Sequence, residues 1–232
     1  MTGAIMTGAI MTEAVRKRVG VLISGRGSNL QALLDACADG AFPAEIALVI
    51  SDQAAAPGLE RAARAGVPSQ VIARRDHPDK AAHEAAHDHA MTAALEAAGV
   101  ELVCLAGFMR MLGEAFVEHW RDRMINIHPA LLPLFPGLDT HARALEAGVK
   151  LHGCTVHLVR FEMDSGPILG QAAVPVLPGD DAETLAARVL EAEHRLYPHC
   201  LRLVAEGRVE VRGATAETPG IDPEARLVNP SP

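Results

Sequence analysis

Aromatic residues are scarce in this sequence: Phe, Trp and Tyr make up 3% of its 232 residues, so any core must be built from Ala, Val, Leu and Ile. No apolar run approaches the roughly 20 residues of a membrane-spanning helix, and the N-terminus lacks the apolar segment of a secretory signal. Basic charge is also short. Because 29 acidic residues outnumber 21 Lys and Arg, giving a net charge of -8, the composition disfavours nonspecific nucleic-acid binding.

Cysteine is sparse and unclustered. The four cysteines are far apart, form no Cys-x-x-Cys pair and stand at Cys37, Cys104, Cys154 and Cys200. This spacing indicates reduced thiols rather than a disulfide framework or a zinc site. We therefore expect a cytoplasmic protein that acts without nucleic acid, membrane or metal.

A hydrophobic content of 49% supports a substantial core. Short apolar runs alternate with helical segments, which is typical of an α/β fold with a mostly parallel sheet. The predicted strands of the first half are 19–24, 46–51, 71–73, 102–106 and 124–127, and the predicted helices are 29–38, 58–65 and 78–98. We expect one domain over residues 19–212, a disordered leader over 1–18 and a poorly ordered tail over 213–232.

The second half has a different pattern. Residues 154–160 and 168–176 resemble strands, and the Asp-Ser-Gly-Pro turn at 164–167 links them. So short a link predicts an antiparallel pair. A long helix is predicted over 181–203.

Ligands of open α/β sheets bind beyond the carboxyl ends of the strands, and a glycine-rich segment, Gly25–Asn29, follows the first strand. Free amides at a helix N-terminus favour a phosphate, although the segment could equally be a capped turn. It also begins a dinucleotide fingerprint, but Leu30 stands at the third glycine position. Asp52 follows the second strand, where a ribose-binding acid would lie, so the dinucleotide alternative stays open.

Asn126 and His128 lie at the end of the fifth strand. Strand alternation places them on the same side, where an amide could stabilise an oxyanion while an imidazole moves a proton. The alternative is that both cap the following loop. Asp164 is either a turn former or a carboxylate that orients His128.

Glu193 falls on the apolar stripe of the last long helix. A carboxylate there either has a structural partner or faces a ligand. On the 78–98 helix, His83-Glu84-Ala85-Ala86-His87 matches the zinc-protease pattern. We interpret it as a solvated face, since the segment is rich in Ala and His and has no clear third ligand.

Several long stretches together resemble the phosphoribosylglycinamide formyltransferase family of folate-dependent enzymes. They cover about residues 19–210, in family order, and read VLISGRGSNLQALLDA, LAGFMRML, INIHPALLPLFPGLDTH, HGCTVHLV, MDSGPIL and EHRLYP. The resemblance implies a Rossmann-like fold and formyl transfer from 10-formyltetrahydrofolate to the amine of glycinamide ribonucleotide, in purine biosynthesis, by a monomer or homodimer.

The resemblance also implies residue roles. Gly27, Ser28 and Asn29 would bind the substrate phosphate, and Glu193 the ribose or glycinamide part. Asn126, His128 and Asp164 would be catalytic, with no metal. The folate pocket would be lined by Met109, Arg110, Met111, Leu112, Asn126, Arg160, Phe161, Glu162, Met163 and Asp164.

The sequence departs from the family at Arg26, where a small polar residue is usual, and at Leu134, where Lys is usual. Lys80 or His83 could replace a folate-contacting Arg. Two alternatives remain: a formyltetrahydrofolate hydrolase or another formyltransferase of the same fold, and, in a different class, a dinucleotide-binding oxidoreductase.

Overall fold

The computed structural model describes residues 16–73, 80–221, 224 and 229. A seven-stranded sheet forms its centre, with strands β1 (Lys17–Ile23), β2 (Ala44–Ser51), β3 (Ser69–Val71), β4 (Leu102–Leu105), β5 (Met124–His128), β6 (Leu151–Leu158) and β7 (Ile168–Pro175). The helices are α1 (Ser28–Cys37), α2 (Gly58–Arg64), α3 (Lys80–Ala97), α4 (Glu114–His119), α5 (Thr140–Glu146) and α6 (Ala182–Ala205). Strands β8 (Glu210–Arg212) and β9 (Thr215–Glu217) form a separate hairpin.

The sheet has the order β3-β2-β1-β4-β5-β6-β7. Strands β1 to β5 run parallel, whereas β6 is antiparallel to both β5 and β7. The predicted α/β class and the antiparallel C-terminal pair are therefore confirmed. The chain leaves β1 for β2 and later returns to β4 on the other side of β1, so a switch point lies between β1 and β4, where ligands of such sheets bind.

Helices cover both faces of the sheet, and strands β1, β2 and β4 are accordingly apolar and buried over most of their length. Side chains of β1 alternate between the two faces: Val21 and Ile23 pack in the core under α1 and α6, while Leu22 packs in the core under α3 and α4. All three are fully buried.

Helix α6 is hydrogen-bonded to two central strands, β4 and β5. It begins at Asp181 in a capping box, in which the carboxylate accepts from the Thr184 amide. Further along, the buried Tyr197 hydroxyl donates to the carbonyl oxygens of Leu105 (2.9 Å) and Ile125 (3.1 Å). Leu105 is the last residue of β4, and Ile125 immediately precedes the candidate site residue Asn126 in β5.

The boundaries differ from the prediction at both ends of the chain. Strand β1 begins at Lys17, within the predicted leader, and the Arg16 guanidinium donates to the carbonyl oxygens of Cys37, Phe42 and Ala44. The predicted tail contains β9, and Thr218 Oγ1 donates to Leu169 O. Residues 1–15 lie outside the described residues.

No helix within the described ranges combines the length and apolar character needed to cross a bilayer.

Candidate active site

The glycine-rich loop between β1 and α1 has a backbone that requires Gly27. This residue has a left-handed φ of 69°, and a Cβ on it would lie 2.7 Å from Gly58 Cα. Gly58 N in turn donates to Gly25 O at 3.0 Å, so the loop rests against the start of α2. No side chain caps α1. The first amides of α1 are therefore free to bind an anion, as expected for a phosphate site.

Two of the predicted substrate residues contact each other. Asn29 Nδ2 donates to Glu193 Oε2 at 2.7 Å, and both side chains are buried. Burial raises the pKa of Glu193, while the hydrogen bond from Asn29 opposes that shift. Glu193 thus has a structural partner at the mouth of the phosphate loop, which places its carboxylate beside the amides of α1.

Asn126 and His128 are brought to the same edge by β5. In the antiparallel pairing with β6, Asn126 is opposite His157 and His128 is opposite Thr155. Asn126 Nδ2 lies 3.2 Å from His157 Nε2. The side-chain alternation that the sequence predicts for β5 therefore places the amide in contact with a second imidazole.

Asp164 approaches His128 from the loop between β6 and β7. The His128 Nδ1 to Asp164 Oδ2 distance is 3.4 Å, and Asp164 Oδ2 also accepts from Gly137 N at 2.8 Å. His128 Nε2 donates to Phe135 O at 2.9 Å, which leaves Nδ1 to face the carboxylate. Asp164 has a φ of 51°, a left-handed backbone that Asp tolerates better than most residues.

His157 is a site residue that the sequence analysis missed. Its Nδ1 donates to Leu158 O at 3.0 Å, so its Nε2 is the acceptor for the Asn126 amide, an assignment that follows from the hydrogen-bond network. Burial lowers the pKa of His157, against opposing contributions from Leu158 O and Asp164. A neutral His157 therefore holds the amide nitrogen of Asn126 towards its own ring. The Nε2 atom of His157 also lies 3.8 Å from Asp164 Oδ1.

A cavity of 130 Å³ opens beside these groups and contains most of the predicted folate residues. Its walls include Arg110, Met111, Leu112, Asn126, Arg160, Phe161, Met163 and Asp164, together with His157. Met109 and Glu162 do not line it. Met109 instead lines a neighbouring cavity over β1 and β2.

The Arg110 side chain is buried beneath this cavity in an ion-paired network. It lies 2.9 Å from Asp88 Oδ1 and donates to His87 Nδ1. His87 Nε2 donates to Ile72 O at 2.7 Å, and Asp88 Oδ2 accepts from Gly113 N at 2.7 Å. Both ring nitrogens of His87 thus have protein partners, which gives this histidine of the zinc-like motif a structural role.

The side chains of Lys80 and His83 lie outside the described residues. Among the residues that are described, no group of three or more His, Cys, Asp or Glu side chains is arranged to hold a metal ion.

Two further histidines pack near His128. The rings of His141 and His152 are 5.2 Å apart, in an edge-on arrangement. Burial, with the neighbouring His141 as the next cause, lowers the pKa of His152 to about 4. The pKa of His141 is also lowered, by burial and by His128. The core behind the site therefore favours neutral imidazoles.

A doubly wound sheet that presents an amide, an imidazole and a carboxylate beside a glycine-rich anion loop defines a group-transfer enzyme of the Rossmann-like class. The sequence pattern of the formyl transferase family, described as "Formyl transferase", matches residues 17–201. The chain belongs to this family. This membership is evidence against the dinucleotide-binding oxidoreductase.

Named relatives extend the similarity. The chain is 56% identical over 194 residues to the trifunctional purine biosynthetic protein adenosine-3 of Drosophila pseudoobscura pseudoobscura, covering 83% of this chain and 14% of that protein. The trifunctional relatives are thus much longer, and this chain spans only 14% to 19% of their lengths. It is 42% identical over 204 residues to phosphoribosylglycinamide formyltransferase of Haemophilus influenzae, covering 88% of this chain and 94% of that protein.

Solved structures show the same fold. Glycinamide ribonucleotide transformylase 1 of Symbiobacterium toebii superimposes with a TM-score of 0.83 at 50% identity, covering 88% of this chain and 94% of that one. A formyltetrahydrofolate deformylase of Pseudomonas syringae pv. tomato has a TM-score of 0.80 at 28% identity, covering 89% of this chain and 67% of that one.

Proposed function

We propose that this protein transfers the formyl group of 10-formyltetrahydrofolate to the amine of glycinamide ribonucleotide. The observation that carries the proposal is the meeting of Asn126, His128 and Asp164 at one edge of the sheet, beside a cavity and an anion-binding loop. Part of the folate, including its formyl-bearing end, enters the 130 Å³ cavity, and the amides of Gly27, Ser28 and Asn29 hold the phosphate. Glu193 accepts hydrogen bonds from the ribose or glycinamide part.

His128 is the proton-handling group. Its Nδ1 lies 3.4 Å from Asp164 Oδ2, longer than the roughly 2.8 Å of a charge-assisted hydrogen bond. Asp164 therefore faces Nδ1 and orients the ring without fully engaging the Nδ1 proton, which remains available to the formyl oxygen. Because Nε2 is held by Phe135 O, the ring keeps Nδ1 directed at Asp164, whose carboxylate lines the cavity.

Asn126 supplies the second donor. One of its amide hydrogens points to His157 Nε2, and the other is free to bind the oxyanion. His157 is a positioning residue in this mechanism, because it holds Asn126 and does not need to touch the substrate.

The reaction then proceeds in two steps. The lone pair of the substrate amine forms the new C–N bond, and the formyl C=O electron pair moves onto oxygen, where Asn126 and His128 stabilise it. The oxyanion collapses and breaks the bond to N10 of folate. N10 receives a proton from His128, and the attacking amine gives up one in return, so the proton count balances.

A coupled assay that follows the deformylated folate product, with and without glycinamide ribonucleotide, tests the proposal. Transfer requires the amine, so product should form only when it is present. Equal rates with and without the amine would contradict the proposal and favour a formyltetrahydrofolate hydrolase, the alternative supported by the 28% identical deformylase. The phosphate-binding loop favours the ribonucleotide.

A further inference from the structure

A second cavity lies over the carboxyl ends of β1 and β2, and the proposed transfer reaction does not use it. Its volume is 520 Å³, within the range of small-molecule sites. It is lined by Ser24, Asp52, Gln53, Ala55, Ala56, Pro57, Met109 and Arg110. We call it the β2 cavity.

Asp52 is the unusual group of the β2 cavity. It is only 8% exposed, and its Oδ1 is a buried atom without a hydrogen-bond partner. In the described part of the chain, no hydrogen bond or ion pair involves its carboxylate. Since a buried carboxylate without donors is costly, such a group persists mainly where a ligand supplies the donors.

The loop around Asp52 does not need this carboxylate. Aspartate after a strand often closes a turn, but here Ser51 Oγ accepts from Gln53 N, and Gln53 O accepts from Ala56 N. The nearby Arg110 is paired with Asp88. Arg110 Nε is itself a buried donor without a partner, so the cavity wall offers an unused donor as well as an unused acceptor.

We propose that the β2 cavity binds the nucleoside part of a purine nucleotide, with both ribose hydroxyls donating to Asp52. An ionised carboxylate only accepts hydrogen bonds, and a vicinal diol presents two donors together. An acid at the end of the second strand has this role in doubly wound nucleotide-binding folds. The remaining wall, Ala55, Ala56, Pro57 and Met109, is an apolar surface for the base.

The phosphate of this nucleotide lies on the free amides of α1. Strands β1 and β2 are direct neighbours and run parallel, so the loop after β1 and Asp52 after β2 lie at the same edge of the sheet. The nucleotide therefore competes with glycinamide ribonucleotide for the anion loop but leaves the folate cavity open. Only this competition rests on the proposed function; the Asp52 contact does not.

Adenosine monophosphate is the probe, measured by calorimetry and by inhibition of the transferase. We expect saturable binding and inhibition that is competitive against glycinamide ribonucleotide but not against formyl folate. The analogue without both ribose hydroxyls should bind about ten- to a hundredfold more weakly, the loss expected for hydrogen bonds to a charged group. The proposal is overturned if the probe does not bind, or if both nucleotides bind equally.

Asp52→Asn separates this contact from general anion binding. It should weaken the probe about tenfold or more while leaving the analogue unchanged. Asp35→Asn, which alters an exposed carboxylate of α1 that accepts from Gln31, is the matched control and should change neither affinity. Equal probe affinity in Asp52→Asn and the parent protein would refute the assignment.

Two further readouts keep the outcomes distinct. Turnover of Asp52→Asn at saturating substrates should match the parent, and its thermal stability should be no lower, since a buried charge is removed. A rise in KM for glycinamide ribonucleotide, with no effect of the probe, would place the substrate's own ribose in the cavity and overturn the proposal. Transferase activity without probe binding would overturn this proposal alone; probe binding without any transfer would overturn only the proposed function.

Discussion

Replacing Asp164 by Asn tests the centre of the proposed mechanism. Asp164 Oδ2 lies 3.4 Å from His128 Nδ1, so the variant removes the carboxylate that faces the proton-handling nitrogen. Because proton transfer depends on this carboxylate in the proposed mechanism, we expect kcat to fall about 10²- to 10⁴-fold, the range of general acid catalysis. The amide keeps the shape of the carboxylate but removes its charge beside Nδ1.

The variant should keep the architecture of the site. An Asn carbonyl can still accept from Gly137 N, so the loop stays in place. Steady-state kinetics should show the KM for glycinamide ribonucleotide changed by less than about threefold, because the phosphate and ribose contacts are elsewhere.

Asp139→Asn is the matched control for this experiment. Asp139 has the same left-handed backbone as Asp164, with φ values of 55° and 51°, but is exposed and makes no side-chain capping bond. Its replacement should leave kcat within about twofold of the parent. If Asp164→Asn were equally active, Asp164 could not support the imidazolium.

Three further changes test other parts of the structure. Gly27→Ala should destabilise the protein by about 1–3 kcal/mol in chemical denaturation and raise the KM for the phosphate substrate. Gly25→Ala should do neither, because a Cβ at this position would have no other atom within 4 Å. Equal effects of the two changes would contradict the close approach of Gly27 to Gly58. Asp88→Ala leaves the Arg110 charge buried and should cost about 3–5 kcal/mol, so a thermal midpoint equal to that of the parent would contradict a structural role for the pair. The pKa of His152 lies below its usual 6.5, at about 4, so folding favours its neutral form. The free energy of unfolding measured in urea should therefore be highest above pH 6.5 and fall by about 3 kcal/mol as the pH drops towards 4. A free energy of unfolding that does not change with pH would refute this contribution of His152.

Most of what the sequence predicted about the site followed from where the strands end, rather than from the identity of individual side chains. Asn126 and His128 could be placed because the spacing of two puts them on one side of β5, and the carboxyl ends of parallel strands share an edge. Their approach to Asp164 could not be derived in this way, because the length of a β6–β7 loop does not fix where its carboxylate lies. That contact was implied by family resemblance, and in the structure the two side chains lie 3.4 Å apart.

Two features of the site depend on tertiary packing, which local sequence patterns do not reveal. His157 follows Val156 in a strand, and its contact with Asn126 depends on the register between β5 and β6, which alternation alone leaves undetermined. The burial of Arg110 depends on Asp88, 22 residues earlier on α3. Helices α4 and α5 were not predicted because one or two turns are too short for a clear period.

The hydroxyl of Tyr197 has a consequence for biosynthesis. Because it bridges the last residue of β4 and the second residue of β5 from a helix near the C-terminal end of the matched region, the segment carrying Asn126 lacks this support until residue 197 has left the ribosome. A nascent chain that stops before this point contains every residue of the proposed trio and the pairing of β4 with β5, but not the hydroxyl that ties both strands to α6. This part of the site's support is thus added late in translation, after the sheet itself has been made.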